Sequence, residues 1–97
     1  MKNITETRLD KYLKLTEKAI TKSKISKKLT KKDMQIAKTY LKMAKNYLSD
    51  AKHFKKENDW VNSFAAVNYA HAWLDAGAII GLFDVGKDNV LFTVDAD

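Results

Sequence analysis

Cysteine and proline are both missing from this 97-residue chain, and glycine occurs only three times. Without cysteine there is no disulfide, no thiolate nucleophile and no thiolate metal ligand, and with no secretory leader legible the chain reads as cytoplasmic. Without proline, and with so little glycine, a loop-rich or all-β design lacks the residues that punctuate its turns. Arginine is nearly absent too: Arg8 is the only one among 18 basic residues. A lysine-only basic surface is weak evidence for nucleic-acid reading, because bidentate contacts to guanine or phosphate favour arginine. There is no glycine-rich phosphate loop, no His-Glu-x-x-His and no Gly-x-Ser-x-Gly, so neither an enzyme class nor a cofactor nor a small-molecule ligand follows from motifs.

What remains is one domain of ordinary globular composition, 45% hydrophobic and 31% charged. A chain this short buries about 60–65% of the surface that its unfolded form exposes, so nearly every apolar residue has to contribute. The net charge of +6 is unevenly distributed. Residues 1–57 hold every basic residue except Lys87, whereas residues 58–97 hold six aspartates.

Three helices are legible. Asn3-Ile4-Thr5-Glu6 has the spacing of a capping box, and Leu9, Tyr12, Leu13, Thr16, Ala19 and Ile20 then recur at three- and four-residue steps. A polar stretch from Ser23 to Lys28 follows, and Thr30 with Asp33 repeats the cap spacing. The second helix, Lys31 to Lys56, carries Ala37, Ala44 and Ala51 at intervals of seven, beside a broad stripe that includes Tyr40, Leu41, Tyr47, Leu48 and Phe54. Asn58 or Asp59 caps the third helix, expected over Trp60 to Leu82. That helix is apolar nearly all round, with Ser63, Ala66, Ala70, Gly77 and Gly81 forming a small-residue edge suited to the alanines of the second helix. A membrane span is disfavoured: Asp75 would cost roughly 2.5–3.5 kcal/mol in a bilayer, and alanine gains little from lipid.

After Gly81 the composition changes. Residues 84–89 have turn chemistry, and Val90–Val94 has the make-up of a strand with no partner strand in the chain. The expectation is an all-α, antiparallel up-and-down three-helix bundle over residues 1–83, with residues 84–97 as a short extended tail lying on the bundle or on a second chain.

Asn68, His71 and Asp75 fall within about 60° of one another on the third helix. His71 and Asp75, four apart, are placed to form a charge-assisted hydrogen bond. Such a cluster can be read as a proton-transfer pair, as part of a metal site completed by His53 or by a second subunit, or as a satisfied polar pair with Asn68 fixing register. The absence of a nucleophile or third ligand favours the structural reading. Opposite the buried side lie Tyr69, Trp73 and Ile80, an apolar surface to be covered by a second copy in a homodimer, the favoured reading, or by the tail Val90–Val94 folding back over it. Lys27, Lys28, Lys31 and Lys32 would be the contacts if nucleic acid were the partner.

The segments Tyr47-Leu48-Ser49-Asp50-Ala51-Lys52-His53-Phe54, Asn58-Asp59-Trp60 and Asn68-Tyr69-Ala70-His71-Ala72-Trp73-Leu74-Asp75-Ala76-Gly77 resemble the archaeal domain of unknown function 357. The resemblance runs from the first helix to Phe83 and is most specific in the last segment. It implies an archaeal source and a small helical bundle, and it implies no activity.

Overall fold

A computed structural model describes residues 4–93. Helix α1 spans Glu6–Lys22, α2 spans Lys31–Lys56 and α3 spans Trp60–Ile79. Two short strands, β1 (Lys24–Ile25) and β2 (Phe83–Asp84), pair antiparallel, with Lys24 opposite Asp84 and Ile25 opposite Phe83. The architecture is the all-α bundle expected, with α2 and α3 making its most extensive helix–helix contact.

The helix ends follow from local chemistry. Thr30 caps α2, its hydroxyl accepting the Asp33 amide at 3.1 Å. The cap of α1 is Thr5, which accepts from the Arg8 amide at 3.1 Å, and not Asn3, which lies outside the described residues. Between α2 and α3 the chain turns in three residues. Asn58 takes a left-handed φ of 59°, and the Asp59 amide reaches back to the Phe54 carbonyl at 2.9 Å. That is a Schellman stop, and Asp59 then caps α3 by accepting from the Asn62 amide at 3.2 Å.

Helix α3 ends at Ile79, three residues short of the Leu82 expected. The cause is Gly81 at φ +83°, which lets the Leu82 amide bond the Gly77 carbonyl at 2.8 Å and closes a second Schellman motif. Leu82, Phe83 and Val85 are thereby turned into the core instead of continuing along the helix.

The seam between α2 and α3 is built from small side chains. Ala37, Ala44 and Ala51 of α2 are fully buried, as are Ser63 and Ala70 of α3. The Ser63 hydroxyl donates to the Ala51 carbonyl at 2.6 Å, which satisfies the one polar side chain on the seam. Leu9, Leu13, Leu48, Ala51, Ala66, Val67 and Ala70 make the core near the α2–α3 turn. At the other end the helices supply mainly Ala19, Ala37, Ala44 and Leu74, and the missing volume comes from Leu82, Phe83, Val85 and Phe92. The residues after α3 are thus part of the core, and Val90–Thr93 form turns and bends, not the strand that their composition suggests. Val94 lies outside the described residues.

Helix α1 is held to α2 partly by charge. Lys52 meets Glu17 at 2.8 Å, and Lys55 bonds Asp10. The hydrogen bond to Asp10 raises the Lys55 pKa above its usual value, opposed by desolvation. A raised lysine pKa stabilises the fold at neutral pH, and the contribution is lost only as pH climbs through the raised value.

Two substitutions test this packing. A Cβ at Gly77 would stand 2.3 Å from the Phe83 ring, so Gly77→Ala must displace the aromatic plug. Ala44→Leu forces new volume into a seam with no room. Each is expected to cost about 1–3 kcal/mol, a drop in thermal midpoint of roughly 5–20 °C for a domain of this size. An unchanged midpoint in either variant would contradict the packing described.

Candidate functional site

His71 and Asp75 sit half-buried on α3 where that helix meets both α1 and the C-terminal segment. They do not bond each other. The Nε2 of His71 lies 2.6 Å from the Leu91 carbonyl, and its Nδ1 lies 3.1 Å from the Thr16 hydroxyl. A carbonyl only accepts, so Nε2 carries a proton and donates to it, while Nδ1 is in hydrogen-bond contact with the Thr16 hydroxyl. Asp75 is occupied in the same manner: one carboxylate oxygen accepts the Thr93 amide at 2.5 Å, the other the Thr93 hydroxyl at 2.7 Å. The i,i+4 pairing expected of these two residues is therefore replaced by two longer-range attachments of the tail.

The tail is bent to meet them. Asp84 accepts the Gly86 amide at 3.1 Å. Asp88 then accepts the amides of Val90 and Leu91 at 3.1 and 3.0 Å, an Asx turn that brings the Leu91 carbonyl to His71. Lys22 approaches Asp88 from the end of α1 at 4.0 Å. Phe92 is buried and tilted against the imidazole, with ring centroids 6.4 Å apart. On one side of this latch is an open cleft of about 660 Å³, bounded by α3 and residues 89–93. On the other is a smaller one of about 370 Å³ that includes Tyr12, Thr16 and Asn68.

The arrangement fastens the C-terminal segment to α3. Both imidazole nitrogens and both carboxylate oxygens have protein partners, and the neighbouring Thr16 hydroxyl is buried. Asn68 is exposed, and no side-chain hydrogen bond engages it among the described residues, so it is not the buried register residue expected within the bundle. His53 lies exposed at the end of α2, 3.2 Å from Glu57, and does not join His71. Among the described residues no group of three His, Cys, Asp or Glu is placed to hold a metal ion.

The apolar residues expected on the outer side of the third helix divide. Tyr69 and Ile80 are exposed, but Trp73 is half-buried, edge-on to Tyr40 of α2 at a centroid distance of 4.9 Å. Lys27, Lys28, Lys31 and Lys32 are all exposed around the start of α2. No helix among the described residues is long and apolar enough to cross a membrane.

Spacing along α3 could not identify Thr16, Leu91 and Thr93 as partners, since they lie 55, 20 and 18 residues from the groups they bond. Thr16 did carry a signal: a hydroxyl within an apolar stripe has to find a hydrogen-bond partner once buried.

These features define a small three-helix bundle whose C-terminal segment is latched to its third helix. The chain belongs to the family described as Protein of unknown function (DUF357), which it matches over residues 11–83. No curated protein and no solved structure matches it. Thr16, His71 and Asp75 lie within the matched region, whereas Leu91 and Thr93 lie beyond it.

The latch predicts a local effect. Asp75→Ala removes two hydrogen bonds to an ionised acceptor, each worth about 1.5–3 kcal/mol when shielded and less at this exposed edge. Amide hydrogen exchange of residues 90–93 should accelerate at least tenfold, with little change in the amides of α2. Equal protection of the tail in both proteins would remove Asp75 from this role.

Proposed function

We propose that the chain is a non-enzymatic interaction module that pairs with a second copy of itself through the outer face of α3. The observation that carries this reading is chemical. Every exposed residue of α3 is uncharged, in a chain where nearly one residue in three carries a charge. Val61, Ala65, Asn68, Ala72, Ala76 and Ile79 follow one another at three- and four-residue steps, with Tyr69 and Ile80 alongside. Val61 and Ile79 are 69% and 60% exposed, and Tyr69 is 61% exposed.

The seam is also self-complementary. An antiparallel copy related by a two-fold axis near Ala70 sets Val61 against Ile79, Ala65 near Ala76 and Asn68 against Ala72, and each contact occurs twice. Alanines at the centre allow close approach, and the two asparagines supply the polar register that a purely apolar seam lacks. Trp73, already packed on Tyr40, lies toward the edge of this seam. One helix of 20 residues is about 30 Å long. Such a seam lies at the small end of stable interfaces, which suits an affinity on the order of micromolar.

Light scattering across the micromolar range is expected to give the mass of two chains. Ala72→Glu, at an exposed position, should yield single chains with an unchanged thermal midpoint. Trp73→Glu should lower the midpoint as well, because it breaks the Tyr40 contact. A wild-type mass of one chain throughout would end the dimer reading.

A further inference from the structure

The lysines form two rows that share one side of the molecule. On α2, Lys31, Lys38, Lys42, Lys45, Lys52 and Lys56 recur at intervals of seven, four, three, seven and four, and all are exposed. On α1, Lys11, Lys14, Lys18 and Lys22 make a second exposed row at steps of three and four. The rows flank the α1–α2 groove, whose acidic residues are already paired: Glu17 with Lys52 and Asp10 with Lys55. Lys14, Lys18, Lys38, Lys42 and Lys45 have no carboxylate within 4.0 Å among the described residues. Dense rows of like charge, met by a carboxylate only at Lys52 and Lys22 among the described residues, raise the local concentration of polyanions.

We propose that this α1–α2 face binds the phosphodiester backbone of double-stranded nucleic acid, without reading its bases. The surroundings of the lysines select that partner. Base reading would call for arginine, and Arg8 is turned away, its guanidinium lying 5.8 Å from the Tyr12 ring and 5.9 Å from the Phe64 ring. Single strands are held by exposed aromatic platforms. Here Tyr12, Tyr40 and Tyr47 face Phe64, Trp73 and Tyr69 of α3, away from the lysines. A bilayer surface would call for apolar side chains to insert. The exposed residues beside the α2 row are mainly polar, Gln35, Asn46 and Ser49, and Met34 between Lys31 and Lys38 is a single apolar side chain, 38% exposed. The α2 row is about 38 Å long, comparable to the roughly 34–36 Å of one duplex turn. The four lysines around the start of α2 then mark one end of this face and are not its centre.

The test is fluorescence anisotropy with a duplex of about 20 base pairs, as DNA and as RNA, alongside the matching single strands and phosphatidylserine vesicles. Duplex should bind in about 50 mM KCl and weaken on the order of a hundredfold or more by about 200 mM, as counterion release requires for five or more phosphate contacts. The DNA and RNA arms show which duplex is preferred, and binding to either supports the proposal. Lys42→Glu with Lys45→Glu should weaken binding about thirtyfold or more, and Lys27→Glu with Lys28→Glu, the same change in charge, about threefold or less. Should charge reversal in the α2 pair disturb folding, Lys42→Gln with Lys45→Gln keeps the test, with a loss of about tenfold. Equal weakening by the two Glu pairs overturns the proposal. So does a failure to bind either duplex at low salt, or binding to single strands or vesicles as tight as to duplex. None of these readouts depends on the dimer, which light scattering on the same samples reports separately.

Discussion

Helices α2 and α3 can approach closely only because the residues between them are small, and the rest of the molecule is arranged around that constraint. Ala37, Ala44 and Ala51 bring little side-chain volume, and the Ser63 hydroxyl must find its acceptor in the facing backbone. Where Leu9, Leu13, Leu48 and Val67 also converge, the seam is backed by enough apolar volume. Where Ala19 meets Ala37 and Ala44 it is not, and Leu82, Phe83, Val85 and Phe92 are drawn in. Phe83 fits because Gly77 offers no Cβ. A tail recruited for its volume has to be held in place, and His71 and Asp75 hold it. The polar cluster on α3 is in this sense a consequence of a core short of bulk.

The parts of the fold legible in the sequence are those decided within a few residues. The bounds of α2 follow from Thr30, Asp33 and the lysines of its last turn, and the buried face follows from alanines seven apart. The end of α3 was harder to place because Ile80, Leu82 and Phe83 prolong the apolar run past the point where Gly81 turns the backbone left-handed. Val90 to Thr93 has strand composition, but a strand exists only with a partner, and Asp88 offers the backbone an Asx turn instead. The site was half legible for the same reason. Helical spacing puts His71 and Asp75 on one side of α3, but their bonding is decided by a hydroxyl on α1 and by a tail that no helical period describes.

The separation of charge along the chain becomes a separation of surfaces in the fold. Lysines line α1 and α2, the exposed side of α3 is neutral, and Asp84 and Asp88 after α3 are used in turns. An acidic residue on the lysine face would weaken any polyanion contact, and the two carboxylates facing the α1–α2 groove each have their own lysine. A charge on the outer face of α3 would oppose its own copy across a two-fold seam, and Asp75, the one charged residue of that helix, is directed to Thr93 instead.

Because the neutral and basic faces belong to different helices, the two proposed contacts do not compete for residues. Two copies joined along α3 would each keep a lysine face free. Lysine gives such a surface charge without bidentate specificity: a strongly hydrated point charge on a flexible stem follows a phosphate backbone without demanding one geometry from it. The pairing of Tyr12, Tyr40 and Tyr47 with aromatic rings of α3 serves this arrangement too, since it leaves α1 and α2 a face of lysines among mostly small polar side chains.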